Sequence, residues 1–113
     1  MSNQEDLHQI ELTIEQAKDA IDLQKAFNRL VSNSDFKKVI EERYFKSYAQ
    51  ELVFLKADPS MDTPEMQSKV IKDMDAIGAL RMFFLSIQHE GRMAERAVAE
   101  SEATREEILA EDL

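Results

Sequence analysis

The sequence predicts an all-α protein: a three-helix antiparallel bundle, or a helical hairpin, with a long C-terminal helix extending beyond the bundle. Three observations point there. Glycine and proline occur only twice each in 113 residues, too few for a sandwich or barrel that needs a turn every 8–12 residues or so. Apolar residues recur at spacings of three and four, the signature of one helical face. From residue 66 onward they fall into a seven-residue repeat, with Val70, Ile77, Phe84, Gly91 and Val98 in one set of positions and Met66, Leu80, Ile87, Ala94 and Ile108 in the other.

The first helix is expected over residues 13–32. Thr13-Ile14-Glu15-Gln16 fits a capping box, in which Thr and Gln satisfy each other's backbone amides. Ile14, Ala17, Ile21, Phe27, Leu30 and Val31 then form one stripe. Leu7 and Ile10 would carry that stripe backward toward residue 5, while Ile10, Leu12 and Ile14 alternate like a short strand. Residues 1–12 are expected to form a loose or partly helical N-terminus. Ser32-Asn33-Ser34-Asp35 breaks the helix, because short polar side chains compete for local backbone groups, and Ser34 or Asn33 caps the next helix.

A second helix is expected over residues 35–57, apolar on two sides. Phe36, Val39, Ile40, Tyr44, Tyr48 and Leu55 make one face; Phe45, Ala49, Leu52 and Val53 make another, roughly opposite. Asp58-Pro59 ends it, since proline lacks a donor and disfavours helical geometry in the residue before it. Thr63-Pro64-Glu65 restarts the chain with a cap, a preset φ and an acid at the positive end of the helix dipole. A long third helix, or two nearly collinear ones, is expected over residues 64–110, with Gly91 the one residue able to loosen or bend the rod. At 1.5 Å per residue it measures roughly 70 Å against about 35 Å for the second helix. The second helix, as antiparallel partner, therefore runs out near residue 88; residues 91–98 are expected to need support from another molecule, and the helix to fray toward Leu113.

Charge and composition exclude several function classes. The chain carries 14 Lys+Arg against 23 Asp+Glu, a net charge of −9. Residues 1–35 hold three basic and seven acidic side chains, residues 36–89 eight of each, and residues 90–113 three and eight. Such a balance argues against direct nucleic-acid binding, which depends on neutralising phosphates. With no cysteine, thiol catalysis and zinc–thiolate sites are excluded. No apolar run approaches the ~20 residues that span a bilayer, and the first residues lack the basic and apolar regions of a signal peptide. The expectation is an intracellular protein without membrane attachment.

No catalytic, cofactor-binding or metal-ligating residue is assigned. Glu5-Asp6-Leu7-His8 matches the Glu-x-x-His of di-metal bundles, but only once, where such sites need two. Asp58–Lys69 opens like a calcium loop yet has Thr63 where glycine is required and Lys69 where glutamate is required. Adjacent carboxylates such as Glu41-Glu42 point to different sides of a helix. Gly78 and Gly91 cannot form a phosphate cradle. The chain is therefore expected not to be an enzyme.

More telling is the apolar surplus. Leu52-Val53-Phe54-Leu55 and Met82-Phe83-Phe84-Leu85 place four apolar residues in succession inside helices, so some must turn away from the intrachain seam. They belong either to a wide core or to an intermolecular patch, since monomers seldom expose contiguous large aromatics. The candidate interface comprises Phe45, Val53, Phe54, Met82, Phe83, Gly91, Arg92, Ala94 and Val98.

At Leu55–Glu65 (LKADPSMDTPE), Asp75–Phe84 (DAIGALRMFF) and Gly91–Glu111 (GRMAERAVAESEATREEILAE) the chain resembles a group of small acidic proteins encoded by tailed bacteriophages. The likeness runs from about Leu12 to Glu111. That group has no assigned chemistry, so the resemblance transfers no catalytic residue. It implies expression in the cytoplasm of an infected bacterium and a role in the virion or its assembly. The leading expectation is a non-enzymatic interaction protein, a virion component or head or tail assembly factor, binding a phage structural protein or itself as a homo-oligomer. One rival is an acidic inhibitor whose carboxylates stand in for phosphates on a nucleic-acid-processing enzyme. A metal-dependent enzyme ranks last.

Overall fold

A computed structural model describes residues 3–111, which are helical except at residues 32–33 and 58–63, with no strand among them. Helix α1 spans Asn3–Val31. It begins ten residues before Thr13, which corrects the expected loose or partly helical N-terminus for residues 3–12; Met1 and Ser2 lie outside the described residues. The Thr13 hydroxyl donates to the Gln9 carbonyl at 3.0 Å, a mid-helix bond rather than a cap. Leu7, Ile10, Ile14, Ala17 and Ile21 are all partly shielded, so packing of the continued stripe prevails over the local capping signal. Leu12 is exposed, and the strand-like alternation is not used.

The break at residues 32–33 is as expected, and the structure selects Asn33 as the cap. Its side-chain oxygen accepts the amides of Asp35 at 2.9 Å and Phe36 at 3.0 Å, from extended backbone at φ −72°, ψ 130°. One short turn comes next, α2 (Ser34–Phe36). The chain then winds as a π-helix over Lys37–Tyr48 and returns to α geometry in α3 (Ala49–Ala57). Right-handed backbone angles at Phe36, Tyr48 and Ala49 carry the chain through both junctions.

This π-segment corrects the two-faced reading of the second helix. In an α-helix each four-residue step drifts about 40°, so Phe36 and Leu52, four such steps apart, would point to different sides. Bonding from i to i+5 widens the turn, and steps of four and five stay aligned. Phe36, Ile40, Tyr44, Phe45, Tyr48, Ala49 and Leu52 are accordingly all shielded, while Val39, Val53 and Leu55 are exposed. The two apolar faces become one.

Asp58 ends α3 at φ −70°, ψ 125°. Its carboxylate accepts the Ser60 amide at 2.9 Å and the Ser60 hydroxyl at 2.8 Å; these two bonds hold its pKa below the ordinary 3.8. Gln67 clamps the connection, donating to the carbonyls of Met61 at 2.6 Å and Lys56 at 3.1 Å. Thr63 caps the next helix by accepting the Met66 amide at 3.2 Å. Helix α4 then runs over Pro64–Glu111 and passes through Gly91 without interruption. Its shielded positions include Val70, Asp73, Ile77, Leu80, Phe84, Ile87, Gly91, Ala94, Val98, Ser101, Arg105 and Ile108, an unbroken alternation of three- and four-residue steps.

The chain divides into two compact units, the described parts of Met1–Phe27 with Ser86–Leu113, and Asn28–Leu85. In the second, Leu52 (2% exposed), Val70 and Ile77 form the core, with Tyr44, Phe45, Tyr48, Ala49, Met61 and Met74 packed against it. In the first, α1 and the last part of α4 lie antiparallel: Gln24 bonds to Gln88, while Ile14 and Ile21 line a groove with Val98 and Arg105. The support that residues 91–98 were expected to take from another molecule comes instead from the chain's own first helix. Pairing across more than 60 residues has no local signature, which is why helix lengths alone misassigned the partner.

Charge divides in the same way. In the sequence, residues 1–27 and 86–113 together hold five basic and fourteen acidic side chains, and residues 28–85 hold nine of each. Among the described residues no helix is long and apolar enough to cross a membrane.

Candidate interaction surfaces

Ring packing organises the Asn28–Leu85 unit. Phe84 lies at the centre, 5.9 Å from Phe36, 5.9 Å edge-on from Phe45 and 6.1 Å from Phe83 between ring centroids. Tyr44 extends the chain of rings, 5.6 Å from Phe45 and 5.9 Å from Tyr48. Tilted and edge-to-face geometry at these separations is the favoured arrangement for aromatic pairs. Phe36, Tyr44, Phe45, Tyr48, Phe83 and Phe84 are thus joined in one cluster, which reaches solvent at Phe83.

The nine candidate residues separate clearly. Val53 (53% exposed), Phe54 (66%), Met82 (64%) and Phe83 (57%) are large, apolar and open to solvent. Phe45 is not, because its ring packs edge-on against Phe84 and only part of it is accessible. Gly91 and Ala94 are buried inside the first unit, Val98 is half-buried there, and Arg92 is exposed.

The four exposed apolar residues do not form one patch. Val53 and Phe54 flank Leu52, which shares the core with Val70, whereas Met82 lies twelve residues of helix beyond Val70, about 18 Å at 1.5 Å per residue. The unit therefore presents two separate apolar surfaces. Phe54 and Leu55 line a shallow pocket with Glu51 and Asp58. A larger groove of about 400 Å³, lined by Tyr48, Leu52, Leu55, Met61, Met66 and Val70 among others, opens beside the α3–α4 connection. Met66 holds a heptad position in the sequence but is 42% exposed and lines this groove. Sequence reasoning missed this groove; the signal was the pair of methionines bracketing the turn.

Gly91 has a specific structural task. A Cβ there would lie 2.6 Å from both Cβ and Oε1 of Gln24, so only glycine admits the Gln24 side chain against the α4 backbone. Gln24 is buried at 9% exposure, and its amide nitrogen donates to the Gln88 carbonyl at 3.4 Å. A buried polar residue on a helical seam fixes register, here opposite Gly91, where a Cβ would not fit.

Ionic chemistry is sparse. Arg43 grips Glu51 with two bonds of 2.9 and 3.3 Å and stands 5.8 Å over the Tyr48 ring. Lys69 meets Asp73 at 3.1 Å, which neutralises the carboxylate on the α4 seam. Both pairs are substantially exposed, where such bridges contribute about 0–1 kcal/mol. Among the described residues no three His, Cys, Asp or Glu side chains come together in a way that could hold a metal ion, and His8 and His89 are exposed. Comparison with family models, curated proteins and solved structures found no match for this chain.

Proposed function

We propose that this chain is a non-enzymatic helical interaction module of a tailed phage, a virion component or head or tail assembly factor acting in the infected bacterium. The observation that carries the reading is the exposure of Val53, Phe54, Met82 and Phe83 on a unit with equal numbers of acidic and basic side chains. Large apolar and aromatic side chains held open on rigid helices are enriched at protein interfaces. Burying each one contributes about 1.5–3 kcal/mol before the costs of association. The phage context comes from the sequence resemblance alone.

The test is capture from phage-infected cells with tagged wild type and with Phe54→Asp/Phe83→Asp. Both positions are solvent-facing, so the double variant should retain helicity by circular dichroism while losing the captured structural protein. Equal capture by the two forms would overturn the proposal.

A second reading, an acidic mimic of nucleic acid, is favoured by the concentration of the entire net charge in the Met1–Phe27/Ser86–Leu113 unit. Its partner would be a nucleic-acid-processing enzyme, and its binding would weaken steeply with added salt. Salt-insensitive capture counts against it.

A further inference from the structure

Helix α4 carries a second stripe, distinct from the one that packs inside the unit. Ile71, Asp75, Gly78, Met82 and Leu85 succeed each other at steps of four, three, four and three, the spacing that keeps one helical face in line. All five are exposed, Ile71 at 43%, Met82 at 64% and Leu85 at 42%. A Cβ added at Gly78 would meet nothing within 4 Å. Arg81, also exposed, flanks the stripe. Among the described residues neither Asp75 nor Arg81 forms an ion pair.

Two pairs of positions are symmetric about Gly78, while Met82 has as its mirror Met74, which packs on the core. Ile71 and Leu85 each lie seven residues from it, one on either side, and Asp75 and Arg81 each lie three. A two-fold interface is self-complementary: what one copy offers at a position its partner must receive at the mirrored position. We infer that the partner at this face is a second copy of this chain, its α4 running antiparallel across the first and crossing at Gly78. Ile71 of each copy then meets Leu85 of the other, and Asp75 of each meets Arg81 of the other. The two glycines on the axis let the helices approach closely, and in this register Asp75 and Arg81 are complementary. The equal balance of acidic and basic side chains in this unit permits two copies to meet here, where the acidic unit would repel its like. This inference rests on the interaction reading above and names the partner at one face; it leaves Phe54 and Phe83 outside the contact.

A single helical seam of this length falls below the ~1,200 Å² of a standard interface. The dimer is therefore a reversible one, with a dissociation constant of about 1–100 µM. Sedimentation equilibrium of the full chain should show a monomer–dimer transition in that range. Asp75→Arg and Arg81→Asp should each weaken self-association at least about tenfold by placing like charges opposite each other. An equimolar mixture of the two variants should regain the dimer, because each then supplies what the other lacks. The chain has no cysteine, so Gly78→Cys should form an intermolecular disulfide far faster than Ala76→Cys, about 200° around the helix from it. A chain monomeric throughout that range, single variants that do not recombine, or equal cross-linking at both positions would each overturn the inference. Capture of a phage protein by a strictly monomeric chain would overturn the dimer and leave the interaction reading standing.

Discussion

The two glycines of α4 should respond to the same substitution with opposite signs. Alanine is favoured over glycine in a helix by about 1 kcal/mol, and Gly78→Ala should realise that gain because a Cβ there meets nothing within 4 Å. At Gly91 the added methyl would stand 2.6 Å from Gln24 Cβ, roughly 1 Å inside the contact distance of about 3.5–4 Å for carbon atoms. The clash involves the root of the Gln24 side chain, so rotation of the amide cannot relieve it. Overpacking of this kind costs about 1–3 kcal/mol, leaving Gly91→Ala neutral to about 2 kcal/mol less stable after the same propensity gain. Urea unfolding monitored by circular dichroism, at a concentration where the chain is monomeric, measures both. In a Gln24→Gly background the Cβ is gone, and Gly91→Ala should become stabilising by about 1 kcal/mol. If Gly91→Ala stabilises the wild-type chain as much as Gly78→Ala does, the close approach of α1 and α4 is wrong.

Other parts of the fold make three further outcomes testable. Asn33→Ala should cost about 1 kcal/mol in urea unfolding through loss of the cap, whereas Thr13→Ala, a mid-helix hydroxyl bonded back to Gln9, should change stability little; a larger loss at Thr13 would restore the capping-box start. Leu52→Ala should cost about 2–5 kcal/mol because that side chain is 2% exposed, while Phe54→Ala, at 66% exposure, should leave the denaturation midpoint nearly unmoved. The Asp58 carboxyl should titrate, by NMR, below the ordinary 3.8, since the Ser60 amide and hydroxyl favour its charged form. Its folded pKa lies below the unfolded value, so the small contribution to turn stability is present above 3.8 and is lost as pH falls through the folded value; an unshifted Asp58, or one unaffected by Ser60→Ala, would contradict the turn geometry.

Legibility along the sequence varied with the range of the interaction concerned. Thr63-Pro64 could be read as a helix start because a capping oxygen, a missing amide proton and a fixed φ act within one turn. The stop at Asp58-Pro59 and the break at Asn33 were readable for the same reason. The partial shielding of Phe45 follows from a longer-range fact. Its exposure depends on Phe84, almost forty residues away, and on a π-segment that brings Phe45 and Tyr44 to the same side. Val53, Phe54, Met82 and Phe83 could be picked out as surplus because four consecutive apolar residues exceed what one helical stripe can bury. That they form two surfaces rather than one depends on where each lies along the unit.

By itself the sequence determined the helical class, the punctuation of its second half and the heptad seam of α4, since these arise from steric and hydrogen-bonding rules that act over a few residues. Only the tertiary structure decided which helix fills which length of that seam. Gln24 meets Gly91 because burying the stripe of α1 against the end of α4 removes apolar surface from water. That gain is set by the whole chain and carries no local mark at either position.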